Sequence, residues 1–186
     1  MNLTNVFQHI VKQVSADAIY GNTQHIWETN RSSNFSDYRQ SADYVAAQLK
    51  EAGLETESLD LSFDGKTTIG DAVLPYGWNC NSALIELVKP MQRILADRID
   101  TPNCVGMWSP GIEDADIEAE VVCLSTGEAS ELYNTDVRDK WILTPGRVNT
   151  IREKALEGGA LGILSYYHPN PAAQDSMQWI YANSET

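Results

Sequence analysis

The feature that most constrains the fold is a stretch near the end of the sequence, DVRDKWILTPGRVNTIREKALEGGALGILSYY, residues 136–167. Its apolar run Trp141–Leu143 is typical of a strand covered on both faces, and a second such run spans 161–166. Between them, apolar residues recur at helical spacing from residue 148 to 155. This order predicts a strand–helix–strand unit whose two strands are parallel and joined by a right-handed crossover.

The glycines of this stretch are not typical of a nucleotide site. Gly158-Gly159 follows the predicted helix and precedes a strand, whereas a phosphate loop follows a strand and opens a helix. We therefore interpret the pair as a helix stop that also allows close packing. The helix begins after the Pro145-Gly146 turn, or as late as Thr150 if Thr150 and Glu153 form a capping box.

The first fifty residues carry helical periodicity. Apolar residues spaced for one helix face predict an amphipathic helix over 4–20, with a break at Gly21-Asn22 and a short helical piece over 25–28. A further helix is predicted over 37–52, with Ser36 as its N-cap and Gly53 as the residue that ends it.

Strand patterns follow these helices. Alternation at Leu59, Leu61 and Phe63 predicts a half-buried strand, Asp64-Gly65 a hairpin turn, and 67–74 the return strand. Short strands are also predicted over 83–88 and 121–124, and 94–99 is ambiguous. The predicted fold class is α/β, or α+β overall. Residues 1–77 form helices with a β-hairpin, and residues 78–186 form a β-rich domain, complete or truncated, that contains the strand–helix–strand unit.

Composition excludes several functions. The net charge of −13 argues against binding to nucleic acid and to anionic membranes. No apolar run approaches the roughly 20 residues of a membrane span, and the first residues do not resemble a signal peptide. Three cysteines without a C-x-x-C spacing fit a reducing compartment better than a disulfide framework. We therefore expect a cytoplasmic location. The local acidic excess over 113–131 is interpreted as a solvated edge.

The histidines do not form a metal motif. The sequence has three of them, His9, His25 and His168, and it contains no H-E-x-x-H, H-x-D or Glu-Glu. His25 and Glu28 could share a helix face, but a third ligand is missing. His9 is interpreted as a surface residue and His168, which precedes Pro169, as a turn residue.

The sequence gives equally little support for a catalytic nucleophile. Cys104 and Cys123 lie in apolar surroundings, where a cysteine behaves as a small hydrophobe, and no neighbouring cation marks them as activated. A small hydrolase built on Cys123, His168 and an acidic residue remains an alternative hypothesis. Trp78 and Trp108 could line a groove, although core packing is the commoner role. No catalytic, cofactor-binding or metal-binding residue is therefore predicted.

Two segments resemble a known family. ETNRSSNFSDYRQSADYVAAQLKEAGLETESLDLSF resembles the N-terminal entry of di-zinc aminopeptidases, the aminopeptidase Y and glutamate carboxypeptidase-like zinc exopeptidases. The similarity lies in Arg31, Ser32-Ser33 and the helix that ends at 51–54. The stretch 136–167 looks like the core of a protease-associated (PA) domain, with Lys140 before the apolar strand and Gly159–Leu164 after the helix. PYGWNCNSALIELVKP resembles the segment that links these parts in bacterial peptidases.

The resemblance implies the N-terminal portion of a zinc-dependent aminopeptidase that contains a PA insert. The parent protein would hydrolyse peptides with two zinc ions, whose ligands and catalytic glutamate lie downstream, so this chain alone would be inactive. A missing C-terminal peptidase domain would be its packing partner. Two apolar faces, Val6/Ile10/Val14 and Tyr38/Val45/Leu49, would then be exposed. The alternative is a stand-alone, non-catalytic PA-type protein-interaction module.

Overall fold

The computed structural model describes residues 2–29, 34–112, 116–173 and 175–176. These residues combine helices and strands, which confirms the mixed α/β class. The chain divides into two compact units, Met1–Asn79 (unit 1) and Cys80–Thr186 (unit 2). The boundary predicted from the sequence lies two residues earlier, after Gly77.

Unit 1 contains three helices, α1 (Leu3–Gln13), α2 (Ala16–Thr29) and α3 (Phe35–Glu51). The prediction of a continuous helix to residue 20 with a break at Gly21-Asn22 is wrong, because α2 runs through both residues. The break falls at residues 14–15 instead. There the Ser15 hydroxyl accepts the amide of Ala18 at 3.2 Å, an N-capping bond that starts α2.

Helix α3 begins slightly before its predicted start. Asn34, rather than Ser36, is the N-cap residue, and its side chain makes no capping hydrogen bond. The Ser36 amide donates to the Asn79 side chain at 3.1 Å, so this first turn is held by a distant segment of unit 1. The predicted end is confirmed, since Gly53 has a φ of +83°. The Arg31–Ser33 loop lies outside the described residues.

The predicted strand over Leu59–Phe63 is wrong, because this segment is irregular and its apolar side chains are exposed. The Asp64-Gly65 turn forms, but it does not close the expected hairpin. The Asp64 carboxylate accepts the amides of Lys66 at 2.9 Å and Thr67 at 2.7 Å, which closes the turn on itself.

A hairpin forms instead a few residues later, inside the predicted return strand. Strands β1 (Thr68–Ile69) and β2 (Ala72–Val73) pair antiparallel. They are joined through Gly70, whose φ of +58° is in the left-handed region.

Unit 2 begins with an antiparallel pair. Strands β3 (Leu84–Leu87) and β4 (Arg93–Asp97) pair with an irregularity after Ile85, so the segment that was ambiguous in sequence is a strand. The connection contains a cis peptide bond at Lys89–Pro90.

The rest of unit 2 contains a parallel sheet. Its strands are β5 (Val121–Cys123), β6 (Trp141–Thr144) and β7 (Gly162–Ser165), in that spatial order. Helix α4 (Val148–Glu157) connects β6 to β7. The predicted strand–helix–strand unit with parallel strands is therefore confirmed.

The ends of α4 test two further predictions. The helix starts at Val148 behind Arg147, which makes no capping hydrogen bond through its side chain, so a late start at a Thr150–Glu153 capping box is wrong. The Gly158-Gly159 stop is confirmed: the Gly158 amide donates to the Lys154 carbonyl at 3.0 Å, and Gly159 has a φ of +79°.

The hydrophobic core belongs to unit 2. Ile142 of β6 and Ile151 of α4 are fully buried, and they pack with Leu124, Val137 and Ala155. In the described part of unit 1, Ser41 is the only buried residue. Most of the two apolar faces predicted to be exposed are indeed exposed, including Ile10, Val14, Tyr38, Val45 and Leu49, whereas Val6 is half-buried. No helix within the described ranges is long and apolar enough to cross a membrane.

Candidate functional site

The strongest candidate site is the edge of the parallel sheet at which β5, β6 and β7 all end. In open α/β sheets, ligands bind outside the carboxyl ends of the strands, where the loops converge. Here those loops are residues 124–128, 145–147 and 166–170. We call this region the carboxyl edge.

Two glycines bring the first two loops into direct backbone contact. Gly127 has a φ of +74°, and a side chain added to it would collide with the amide of Gly146. A side chain on Gly146 would in turn collide with the Gly127 carbonyl. Neither position has room for a larger residue, so the two loops approach each other as bare backbone.

Two hydroxyl groups stabilise this contact. The Thr144 side chain, which is fully buried, accepts the Gly146 amide at 3.0 Å. The Ser165 hydroxyl donates to the Gly146 carbonyl at 2.7 Å and accepts the Tyr167 amide at 3.2 Å. Both hydroxyls are thus used for loop structure, and neither is placed as a nucleophile with an adjacent base.

The loop after β5 encloses a carboxylate of the protein itself. Glu131, from the 3₁₀ helix Ala129–Asn134, accepts the amides of Ser125, Thr126 and Gly127 at 2.8, 2.9 and 2.8 Å, and the Thr126 hydroxyl at 2.8 Å. Burial raises the pKa of Glu131, but these four donors outweigh it and hold the pKa at about 2. The loop therefore forms an anion-binding nest of backbone N–H groups, and the Glu131 carboxylate of the same chain occupies it.

The third loop carries His168, half-buried at the end of β7. Its Nδ1 lies 2.9 Å from the Asn170 carbonyl oxygen and 3.1 Å from the Asn170 amide nitrogen, and its Nε2 lies 3.2 Å from the Ser176 hydroxyl. The Ser176 hydroxyl also donates to the Ala173 carbonyl at 2.7 Å. All of these contacts are made to residues that closely follow His168 in the chain, so we interpret the imidazole as stabilising the local loop.

The other side chains at the carboxyl edge are of types that are suited to binding. The Arg147 guanidinium lies 5.1 Å from the centre of the Tyr167 ring, a cation–π contact, and Tyr166 is exposed. Arginine and tyrosine are enriched among the residues that carry binding energy at protein interfaces. The edge therefore carries residue types that are common at protein interfaces.

The hypothesis of a hydrolase based on Cys123 gains no geometric support. Cys123 lies in β5 as predicted but is exposed, which corrects the expectation that it is enclosed by apolar neighbours. Throughout the described part of unit 2, no hydrogen bond joins Cys123 to His168, whose imidazole contacts Asn170 and Ser176 instead.

His25 and Glu28 lie together on α2, but each has a different partner. The His25 ring packs on Tyr44, with 3.9 Å between ring centres, and the Glu28 carboxylate accepts the Gln24 amide at 2.8 Å. Across the residues that the structure describes, no group of three or more His, Cys, Asp or Glu side chains could hold a metal ion. His9 is exposed on α1, and Trp78 and Trp108 are half-buried.

Sequence reasoning missed one further cluster in unit 2, around the buried Arg98. Its Nε donates to the Cys80 carbonyl at 3.1 Å and its Nη1 to the Pro102 carbonyl at 2.5 Å. Burial raises the pKa of the nearby Cys104 thiol, and the Arg98 charge opposes that effect. In the sequence, Arg98 is a single arginine inside the ambiguous segment 94–99, which is too common a pattern to identify a buried cation.

No protein-family model, curated protein or solved structure matches the chain.

Proposed function

We propose that this chain is a non-catalytic N-terminal portion of a zinc-dependent aminopeptidase, and that unit 2 is its PA-like domain. The observation that carries the proposal is the exposed apolar surface of unit 1. Ile10 and Val14 on one face, and Tyr38 on the other, are each more than half exposed. A helix as short as α1 is marginal without tertiary packing, so a face of this kind needs a partner.

The sequence resemblance supplies the identity of that partner. In the zinc exopeptidases, the N-terminal helices pack on a peptidase domain that continues after the PA insert. That domain would bring the two zinc ions, the catalytic glutamate and most of the sheet that binds the peptide substrate. No residue of the present chain is assigned a catalytic or metal-binding role.

Metal analysis and an aminopeptidase assay on the purified chain test the catalytic part of this proposal. The expected result is neither stoichiometric zinc nor release of p-nitroaniline from aminoacyl p-nitroanilides, because the ligands would lie elsewhere. One zinc or more per chain together with turnover would overturn the proposal.

The reading frame beyond codon 186 tests the proposed parent protein separately. The expected continuation contains an H-x-D motif and a Glu-Glu pair, in that order. A stop codon directly after Thr186 would remove the peptidase partner from the proposal.

A second candidate is a stand-alone PA-type interaction module. It is favoured by the separate core of unit 2 and by the Arg147, Tyr166 and Tyr167 surface at the carboxyl edge. A stop codon after Thr186, combined with a monomeric chain that unfolds cooperatively, would favour this candidate over the first.

A further inference from the structure

Strand β5 forms an edge of the parallel sheet in unit 2. The spatial order of the sheet is β5–β6–β7, so β5 pairs on one side only. On that side, the Glu120 carbonyl accepts the Trp141 amide at 2.9 Å, and the Leu124 amide donates to the Leu143 carbonyl at 2.8 Å. These two bonds, with the register of the pair, fix which backbone groups of β5 face β6.

The same bonds identify the backbone groups that face away from β6. Successive residues of a strand direct their N–H and C=O groups alternately to its two sides, so Val122 faces β6 while Val121 and Cys123 face outwards. In the part of the chain that the structure describes, the backbone groups of Val121 and Cys123 make no hydrogen bond. Both residues are exposed. The edge therefore presents two donors and two acceptors as a template for a further strand.

The sequence around this edge is acidic. No Lys, Arg or His occurs between Arg98 and Arg138. Glu118 and Glu120 lie directly before β5 and are exposed. Among the described residues, neither carboxylate takes part in a salt bridge or a hydrogen bond. These charges favour a cationic partner, and they disfavour a second copy of the chain, whose own edge carries the same acids.

We propose that β5 is a docking edge for an extended basic segment of another protein, which joins the three-stranded sheet as a further strand. The inference is independent of the proposed peptidase function. Backbone hydrogen bonds to Val121 and Cys123 position the segment, as in other cases of strand addition to a sheet edge. Its Lys or Arg side chains pair with Glu118 and Glu120, so that binding weakens as the salt concentration rises.

NMR titration of the full chain with a basic peptide tests the proposal. The probe is a short peptide of alternating valine and lysine residues with capped ends. At about 90% occupancy, amide exchange at Val121 and Cys123 should slow about tenfold, because only the unbound fraction exchanges. The amides of Val122 and Leu124, which face β6, are the internal reference and should change little.

Two control peptides separate backbone pairing from charge. The first has the same sequence with all of its backbone amides methylated, which keeps the charge but removes the hydrogen-bond donors. The second has glutamate in place of lysine, which keeps the donors but reverses the charge. Neither peptide should protect the amides of Val121 and Cys123.

Two variants of the chain test the acidic side chains. Glu118→Gln combined with Glu120→Gln should weaken binding of the lysine peptide about fivefold, because it removes two exposed charge pairs. Glu55→Gln combined with Glu57→Gln removes the same charge from unit 1 and is the matched control. Its affinity for the lysine peptide should be nearly that of the wild type.

The wild-type chain alone can overturn the proposal. Equal protection by the methylated peptide would show that the edge does not pair with a strand, and equal binding of the glutamate peptide would remove the need for a basic partner. Protection that grows with chain concentration in the absence of peptide would identify a second copy as the occupant. Unprotected Val121 and Cys123 amides at millimolar lysine peptide would also refute the proposal.

Discussion

Both units have apolar residues at helical spacing, but the units differ in how far those residues are buried. In unit 2, a ten-residue helix and three short strands enclose Ile142 and Ile151 completely. In unit 1, the three helices are longer in total, yet Ser41 is the only buried residue among those described. The comparison shows that helical periodicity determines where a helix forms, but whether its apolar face is buried depends on a second layer.

Core truncation should give the largest difference between the units. We expect Ile142→Ala to lower the free energy of unfolding of unit 2 by about 3 kcal/mol, because it removes buried methylenes and leaves a cavity. Ile10→Ala, on the exposed face of α1, should change stability by less than about 0.5 kcal/mol. Urea titration followed by hydrogen-exchange mass spectrometry measures the free energy of unfolding of each unit separately in the same chain. Similar losses for both variants would contradict the comparison.

Glycine substitutions should have opposite signs in the two units. Gly127→Ala in unit 2 combines a left-handed φ with a collision against Gly146, and we expect it to destabilise by about 2–3 kcal/mol. Gly21→Ala, within α2, meets no atom within 4 Å and should stabilise its helix by roughly 0.5–1 kcal/mol. Circular dichroism during thermal unfolding measures both changes. A neutral Gly127→Ala variant would show that the two loops do not need their close contact.

The smallest expected effect concerns pH. Since the pKa of Glu131 is lowered from 4.5 to about 2, its contribution to stability is fully present above pH 4.5 and is lost as the pH falls towards 2. Glu131→Gln should therefore be less stable than the wild type at pH 7, and the difference should shrink below pH 4.5. Glu128→Gln, from the same loop, is the matched control and should show no such trend. Parallel stability–pH curves for the Glu131→Gln variant and the wild type would disprove the role of this carboxylate.

The sequence predicted the parallel unit of unit 2 well. Its apolar strands are short and continuous, its helix is periodic, and Gly158-Gly159 ends the helix as expected. The contacts at the carboxyl edge were harder to predict from the sequence. Nothing local indicates that Glu131 binds the amides over 125–127, because that contact depends on the left-handed backbone of Gly127 and on a loop from β6.

The errors in unit 1 have a common cause. Alternating residues such as Leu59 and Leu61 specify a strand only when a neighbouring strand pairs with them, and in the described structure this segment has no such partner. Similarly, Gly21 has a low helix propensity that favours a break, but Ser15 already provides a capped start for α2, and the helix continues through Gly21. In both places, the surrounding structure outweighs a weak local conformational preference.

The parallel sheet also has a consequence for how the chain acquires its structure. Residues that pair between β5 and β6, or between β6 and β7, lie roughly twenty positions apart in sequence, whereas helix α3 forms from contacts within one turn. Closing two such separations around one central strand costs chain entropy before any pairing is gained, which slows folding. The folding of unit 2 should therefore be limited by these two long-range pairings, and β6 is the strand that both of them share.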